Sequence, residues 1–349
     1  MARRAGWTYA RAGVDRGSVS ASLAALLAGT HYRPPANHGR LLDLPGHYAG
    51  LVRIGRETIA VTTDTVGTKV LLAEQLGRWE GVGEDIVQVN VNDLAAVGAR
   101  PSVLVDCVLC ERPDPAVFRA IGRGLGRGLR KGRIALAGGE TAVVPDIVRG
   151  TDLGGTAVGF FPKGRRPVTG AAIRPGDVVL GVPASGFHAN GFTLVRKLLS
   201  EGSVSLSKPR PGARSPLGEE LLRPGRIYVD AAEAIADRRT THGLAHISGG
   251  GVRNLVRLNP DVRFELDRWP APAGLYQWVA ELGAIAPEEL YQTFNLGIGF
   301  VAVVLPGAAW PTLAALTAAG VRDTRVVGRV GKGSGVALPQ VGLEYSGYA

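Results

Sequence analysis

A chain of 349 residues with 45% hydrophobic and 20% charged residues is longer than a single core usually serves and is expected to fold as two globular domains. The net charge of +10 invites a nucleic-acid partner, but only six of the 40 basic residues are Lys, and the densest basic stretch, residues 119–133, has no interleaved aromatics on which bases could stack, so nucleic acid is set aside. Two cysteines and an N-terminus without an apolar signal core favour a reduced, cytoplasmic setting.

In chain order, residues 18–28 read as a short helix with a serine cap, stopped by Pro34 and Pro35. Strands are expected at 58–63, 102–109, 134–137 and 156–161, with helices at 84–97 and 115–130 between them, an alternation that predicts an α/β fold. The segment 84–97 pulls two ways: "VQVNVN" alternates like a strand, while Glu84, Asp85 and the stop at Gly98 suit a helix. Arg119, Arg123, Arg127 and Arg130 fall at near-helical spacing and predict a solvated cationic face. Cys107 and Cys110 lie in a strand, where residues three apart point to opposite faces, so buried thiols are expected and not a zinc site.

The Pro-, Gly- and Arg-rich stretch 162–175 marks a junction, giving domains at 1–168 and 169–349. The second unit should open with the strand "GDVVLGVPA", continue through the helix in "GFTLVRKLLSE", a loop at 207–216 and a helix near 226–238, and close with a strand, turn and helix. Residues 290–321 carry no charge, but Gly297, Gly299, Pro306 and Pro311 break them into short elements, so no membrane span is expected.

Three carboxylates, Asp64, Asp93 and Glu140, stand beside small residues at expected element ends. Acids converging on one rim would hold the magnesium of a bound phosphate, although each alone reads as a turn or cap residue. Lys69, in "DTVGTK", either neutralises a phosphate or is a surface ammonium; the spacing is not that of a Walker loop. The turn holding Ser185, Gly186, His188, Asn190 and Gly191 opens a helix whose first N–H groups are free, an arrangement that favours an anionic ligand over a simple cap. "HISGGG" at 246–251 offers further backbone donors at Gly249 and Gly250.

Together AGVD (12–15), D-x-V-G-T-K (64–69), VNDL (91–94), GGETA (138–142), S-G-x-H-x-N-G-F-T-L-V-R-K (185–197), RIYV (226–229), SGGG (248–251) and Y-x-T-F-N-x-G-I-G (291–299) resemble the phosphoribosylformylglycinamidine cyclo-ligases over nearly the whole chain. The resemblance implies an N-terminal domain whose sheet pairs with that of a second subunit in a homodimer, a C-terminal α/β domain, and ATP with Mg²⁺ as cofactors. It implies phosphorylation of a formyl amide oxygen and closure of an imidazole ring on a ribonucleotide substrate. Related small-molecule kinases and a non-catalytic nucleotide-binding paralogue are the alternatives. By resemblance Asp64, Asp93 and Glu140 hold the metal. Thr68, Lys69, Gly138, Gly139 and Thr141 face ATP. Ser185, Gly186, His188, Asn190, Gly191, Gly249 and Gly250 meet the ribonucleotide, and His188, Asp64 and Lys69 are the catalytic candidates. The chain departs from the family pattern at Thr62, Thr65 and Arg40, where glycine is usual. A β-branched residue forced to positive φ at 62 or 65 would be strained.

Overall fold

The computed structural model describes residues 6–30, 32–42, 44 and 46–348. Its first half builds α1 (Arg16–Ala28), β1 (Arg40–Leu42), β2 (Gly50–Ile54), β3 (Glu57–Thr65), α2 (Lys69–Leu76), α3 (Glu80–Ala96), β4 (Arg100–Cys110), α4 (Pro115–Gly132), β5 (Ala135–Val143) and β6 (Thr151–Phe160). The strands form one six-stranded sheet in the order β1-β2-β3-β6-β4-β5, in which only β4 and β5 run parallel, joined by α4. The second half supplies β7 (Val178–Pro183), α5 (Phe192–Glu201), α6 (Leu217–Leu221), α7 (Val229–Ile235), β8 (Thr241–His246), β9 (Arg263–Glu265), α8 (Leu275–Gly283), α9 (Pro287–Thr293), β10 (Ile298–Val304), α10 (Ala309–Ala318), β11 (Arg325–Gly331), β12 (Gly335–Leu338) and β13 (Leu343–Tyr345). These strands make a seven-stranded sheet, β13-β12-β9-β11-β7-β10-β8. The expected α/β architecture is thus present as two sheets. Among the described residues no helix is long and apolar enough to cross a membrane.

The helix capping differs from expectation at α1. Asp15, not a serine, caps it, accepting from the Gly17 N–H at 3.1 Å and the Ser18 hydroxyl at 2.6 Å, because a carboxylate satisfies two donors at once. The expected strand at 134–137 runs on to Val143, so the GGET motif lies inside β5 and not in a turn. Arg40 sits in a short strand, paired with Arg53. Thr62 and Thr65 are free of the anticipated strain: both lie in β3, neither has positive φ, and the buried Thr62 donates its hydroxyl to the Tyr48 carbonyl at 3.3 Å.

The ambiguous segment is helical. α3 is buried on nearly every side because it lies between the two sheets, and that position explains its mixed pattern. Ile86, Val87 and Leu94 belong to the core, while Asp85 and Asn92 meet the backbone of the second half. The Gly225 N–H donates to Asp85 Oδ1 at 2.7 Å, Asn92 Nδ2 to the Arg226 carbonyl at 2.9 Å, and the Tyr228 N–H to Asn92 Oδ1 at 2.8 Å. The strand-like alternation of "VQVNVN" therefore records one helix serving two partners. α4 packs against it at close range: a Cβ on Gly124 would fall 1.9 Å from the Glu80 carbonyl oxygen. The arginine stripe on α4 is not merely solvated, since Arg123 pairs with Glu80 at 2.5 Å and Arg127 with Glu84 at 3.4 Å.

Candidate functional site

Strand alternation delivers Asp64 to the inner face of the first sheet. In β3, Ala60, Thr62 and Asp64 point inward, while Val61, Thr63 and Thr65 point out. Asp64 accepts from the Thr65 N–H at 2.7 Å, and burial together with the nearby Asp93 carboxylate pushes its pKa up to about 6. Asp93, near the C-terminal end of α3, holds His246 of β8, with 2.8 Å between Oδ1 and Nδ1. A carboxylate only accepts, so His246 donates from Nδ1, which leaves Nε2 to accept from Gln88 Nε2 at 3.3 Å. The buried His246 ring stacks on His188 with 6.3 Å between centroids and 29° between planes.

His188 is 1% exposed and has φ +60, a left-handed backbone that costs an ordinary residue about 1–2 kcal/mol. Its Nε2 lies 3.4 Å from the Tyr228 hydroxyl, its Nδ1 has no partner among the described residues, and burial beside His246, Lys69 and Arg226 holds its pKa well below the usual histidine value. The ring is therefore neutral near pH 7. Two turns meet beside it: a Cβ on Gly249 would stand 3.2 Å from Asn190 Oδ1, so the SGGG turn and the H-x-N-G turn are neighbours.

The other residues of these turns are committed to shape. Ser185 donates to the Pro224 carbonyl at 2.9 Å, and the Gly186 carbonyl accepts from Tyr276 Oη at 2.8 Å and Asn295 Nδ2 at 2.9 Å. Gly191, at φ +78, caps α5 where any Cβ would enter the Phe294 ring at 2.3 Å. Gly250 is covered by the Tyr348 ring, 2.6 Å from where its Cβ would be.

Three of the expected site residues lie elsewhere than beside Asp64 and Asp93. Glu140 does not join Asp64 and Asp93: it pairs with Cys107 across the β4–β5 ladder, and Cys107, Gly154 and Thr65 share the outer face. It is exposed there, on the opposite side of the sheet from Asp64 and with β6 and β4 between their strands. Lys69 does not face an open site. It is fully buried, forms an ion pair with Asp85 Oδ2 at 2.6 Å, and donates to the His188 and Arg223 carbonyls at 2.9 Å each. Thr68 likewise turns to Thr193, 2.9 Å between hydroxyls. Gly138, Gly139 and Thr141 lie in exposed β5, where Gly139 leaves room for the Asp106 carboxylate, 1.9 Å from where a Cβ would be.

Sequence reasoning passed over His246, although it begins the HISGGG motif, and Gln88, Tyr228, Asp106 and Arg257. Arg257 donates to the Gly46 and His47 carbonyls at 2.7 and 2.9 Å and lies 4.1 Å over the Tyr48 ring, and its charge reaches Asp64. His47 beside it is half-buried with its ring nitrogens out of contact with solvent, and their burial together with the Arg257 charge brings its pKa to about 4.

Among the described residues no group of three or more His, Cys, Asp or Glu side chains is placed to hold a metal ion. The two carboxylates fit magnesium in another way. Burial and the neighbouring Asp93 raise the cost of ionising Asp64, a cation between the two would relieve it, and Mg²⁺ ordinarily takes one or two carboxylates with phosphate and water completing its shell.

Residues 46–161 match the family described as AIR synthase related protein, N-terminal domain, and residues 174–339 match its C-terminal domain. The chain is 42% identical over 301 residues to the phosphoribosylformylglycinamidine cyclo-ligase of Methanothermobacter thermautotrophicus, covering 86% of this chain and 88% of that one. It is 41% identical over 340 residues to the same enzyme of Thermococcus gammatolerans, covering 97% and 99%. Among solved structures, AaThiL complexed with AMPPCP and TMP superposes with a TM-score of 0.65 at 19% identity, covering 95% of this chain and 96% of that one, a likeness of fold.

Proposed function

The chain belongs to the phosphoribosylformylglycinamidine cyclo-ligase family, and on that premise we propose how its residues carry the family's reaction, the ATP-dependent closure of formylglycinamidine ribonucleotide to 5-aminoimidazole ribonucleotide in purine biosynthesis. The formyl amide oxygen attacks the γ-phosphoryl group and ADP leaves. A nitrogen of the same molecule then attacks the activated carbon, and inorganic phosphate departs with the former amide oxygen. An amide oxygen is a poor leaving group and a phosphate a good one, so the protein's work is positioning and charge neutralisation.

Asp64 and Asp93 hold Mg²⁺, which when bound neutralises the phosphoryl oxygens. The observation that carries this assignment is the inward-facing pair itself, with the Asp64 carboxyl pushed up to about 6 by burial and by the neighbouring Asp93. His246 keeps Asp93 in place. Asn190, Gly249 and Gly250 contact the ribonucleotide, with Ser185, Gly186 and Gly191 shaping the turn that presents them. His188 is assigned to orientation. A deeply depressed pKa makes it a weak base at neutral pH, while its unpartnered Nδ1 leaves one hydrogen bond to give or accept. Gly138, Gly139 and Thr141, on the open edge strand β5, are assigned to the ATP side.

We assign the division of the chain to 168/169, between the two sheets, and a cytoplasmic homodimer. Support for the dimer is the outer face of the first sheet, where Val61, Val105 and Phe160 are 36%, 40% and 42% exposed on adjoining strands. Glu140 shares that face and so would lie at the seam between copies. The test is direct: purified protein given Mg-ATP and formylglycinamidine ribonucleotide should form the aminoimidazole with one phosphate per turnover. ATP hydrolysis that is indifferent to this ribonucleotide contradicts the reading.

A further inference from the structure

The D-x-V-G-T-K motif places Asp64 five residues before Lys69, so a phosphate-binding lysine is the natural expectation. The geometry forbids it, and what the lysine does instead is specific. Its ammonium lies at the meeting point of four segments: α2, which carries it; α3, through Asp85 at 2.6 Å; the H-x-N-G turn, through the His188 carbonyl at 2.9 Å; and residues 223–225, through the Arg223 carbonyl at 2.9 Å. Asp85 in turn accepts the Gly225 N–H at 2.7 Å, closing the ring of contacts. The ammonium also sits 5.3 Å over the ring of Phe192, the first residue of α5, and its neighbour Thr68 is 2.9 Å from the Thr193 hydroxyl.

We infer that Lys69 is a positioning residue, a buried bracket that fixes the backbone of the ribonucleotide turn relative to the metal carboxylates. The His188 carbonyl it grips belongs to the one residue of that turn other than glycine with positive φ. A left-handed residue persists only where its surroundings over-determine it. Here the flanking peptide is anchored by a charge-assisted bond inside the protein, where such a bond is strong. Because α2 follows β3 after only three residues, the same bracket holds the turn at a set distance from Asp64. The inference rests on the assignment of that turn to the ribonucleotide, but its first test does not.

Hydrogen exchange of amides 186–192 should quicken about tenfold in Lys69→Met. A lone buried Asp85 can unfold that variant, so Lys69→Met with Asp85→Asn serves as the second form, since it removes both charges and keeps an acceptor for Gly225. Unchanged protection in a folded variant overturns the bracket, whatever the activity. In kinetics the double variant should lose about tenfold in kcat/KM for the ribonucleotide, keep its KM for ATP within about twofold, and show less than about a twofold further loss when His188→Ala is added, because residues acting through one another are not additive. A tenfold rise in KM for ATP with the ribonucleotide unaffected, or losses that multiply with His188→Ala, overturns it in favour of a direct phosphate contact. Quickened exchange with full ribonucleotide kinetics would uphold the bracket and remove the ribonucleotide assignment instead.

Discussion

Asp64 and His188 show how environment decides what a residue can do. Asp64 is a carboxyl whose charge is opposed by burial and by Asp93, so Asp64→Asn should leave the fold intact while lowering turnover by on the order of 10²-fold, measured as phosphate release. His188→Ala should raise KM for the ribonucleotide more than it lowers kcat, since a buried imidazole held in its neutral form near pH 7 orients the substrate and is a poor proton acceptor. His47 supplies a stability test. Its folded pKa of about 4 lies below the usual 6.5, so the unfolded chain takes up the proton first as pH falls. Its contribution is complete above about pH 6.5 and is lost as pH drops toward 4. Urea melts between pH 7 and 4.5 should lose less stability in His47→Gln than in the parent. The acids and the H-x-N-G turn were legible as residue types; their facing was not. Nothing local in "GGET" tells that Glu140 points outward, because facing is set by ladder register with β4. The burial of Lys69 depends on Asp85, Arg223 and His188, all remote in sequence.

Among elements, those with strong local patterns were readable. The apolar run of β10 and the amphipathic α5 stood out, and the long strands β3, β4 and β6 were recognisable from their β-branched content. The short strands β9, β12 and β13 were not, since three or four residues carry too little pattern and exist only through pairing within the second sheet. The helix expected at 226–238 shrinks to α7 because residues 225–228 bond to α3 instead of to each other. In β10, Gly299 lets two elements approach: a Cβ there would stand 2.0 Å from the Tyr228 hydroxyl and 2.5 Å from His188 Cε1. Gly299→Ala should therefore cost about 1–3 kcal/mol in a urea melt and impair ribonucleotide binding with it, whereas Gly297→Ala meets no neighbour and strains only its positive φ.

At the scale of the molecule, the site is a joint between two sheets. The first contributes Asp64 and, through α3, Asp93; the second contributes His188, Asn190, His246 and Gly249. In the proposed homodimer the outer face of the first sheet meets a second copy. Val105→Asp with Phe160→Asp should shift the mass in light scattering from dimer to monomer, while an unchanged dimer would move the interface elsewhere. The joint itself is tested most directly by calorimetric titration of Mg²⁺ in the presence of a non-hydrolysable ATP analogue. Asp64→Asn and Asp93→Asn should each weaken the cation by about tenfold or more relative to the parent. Equal cation affinity in all three proteins would contradict the account.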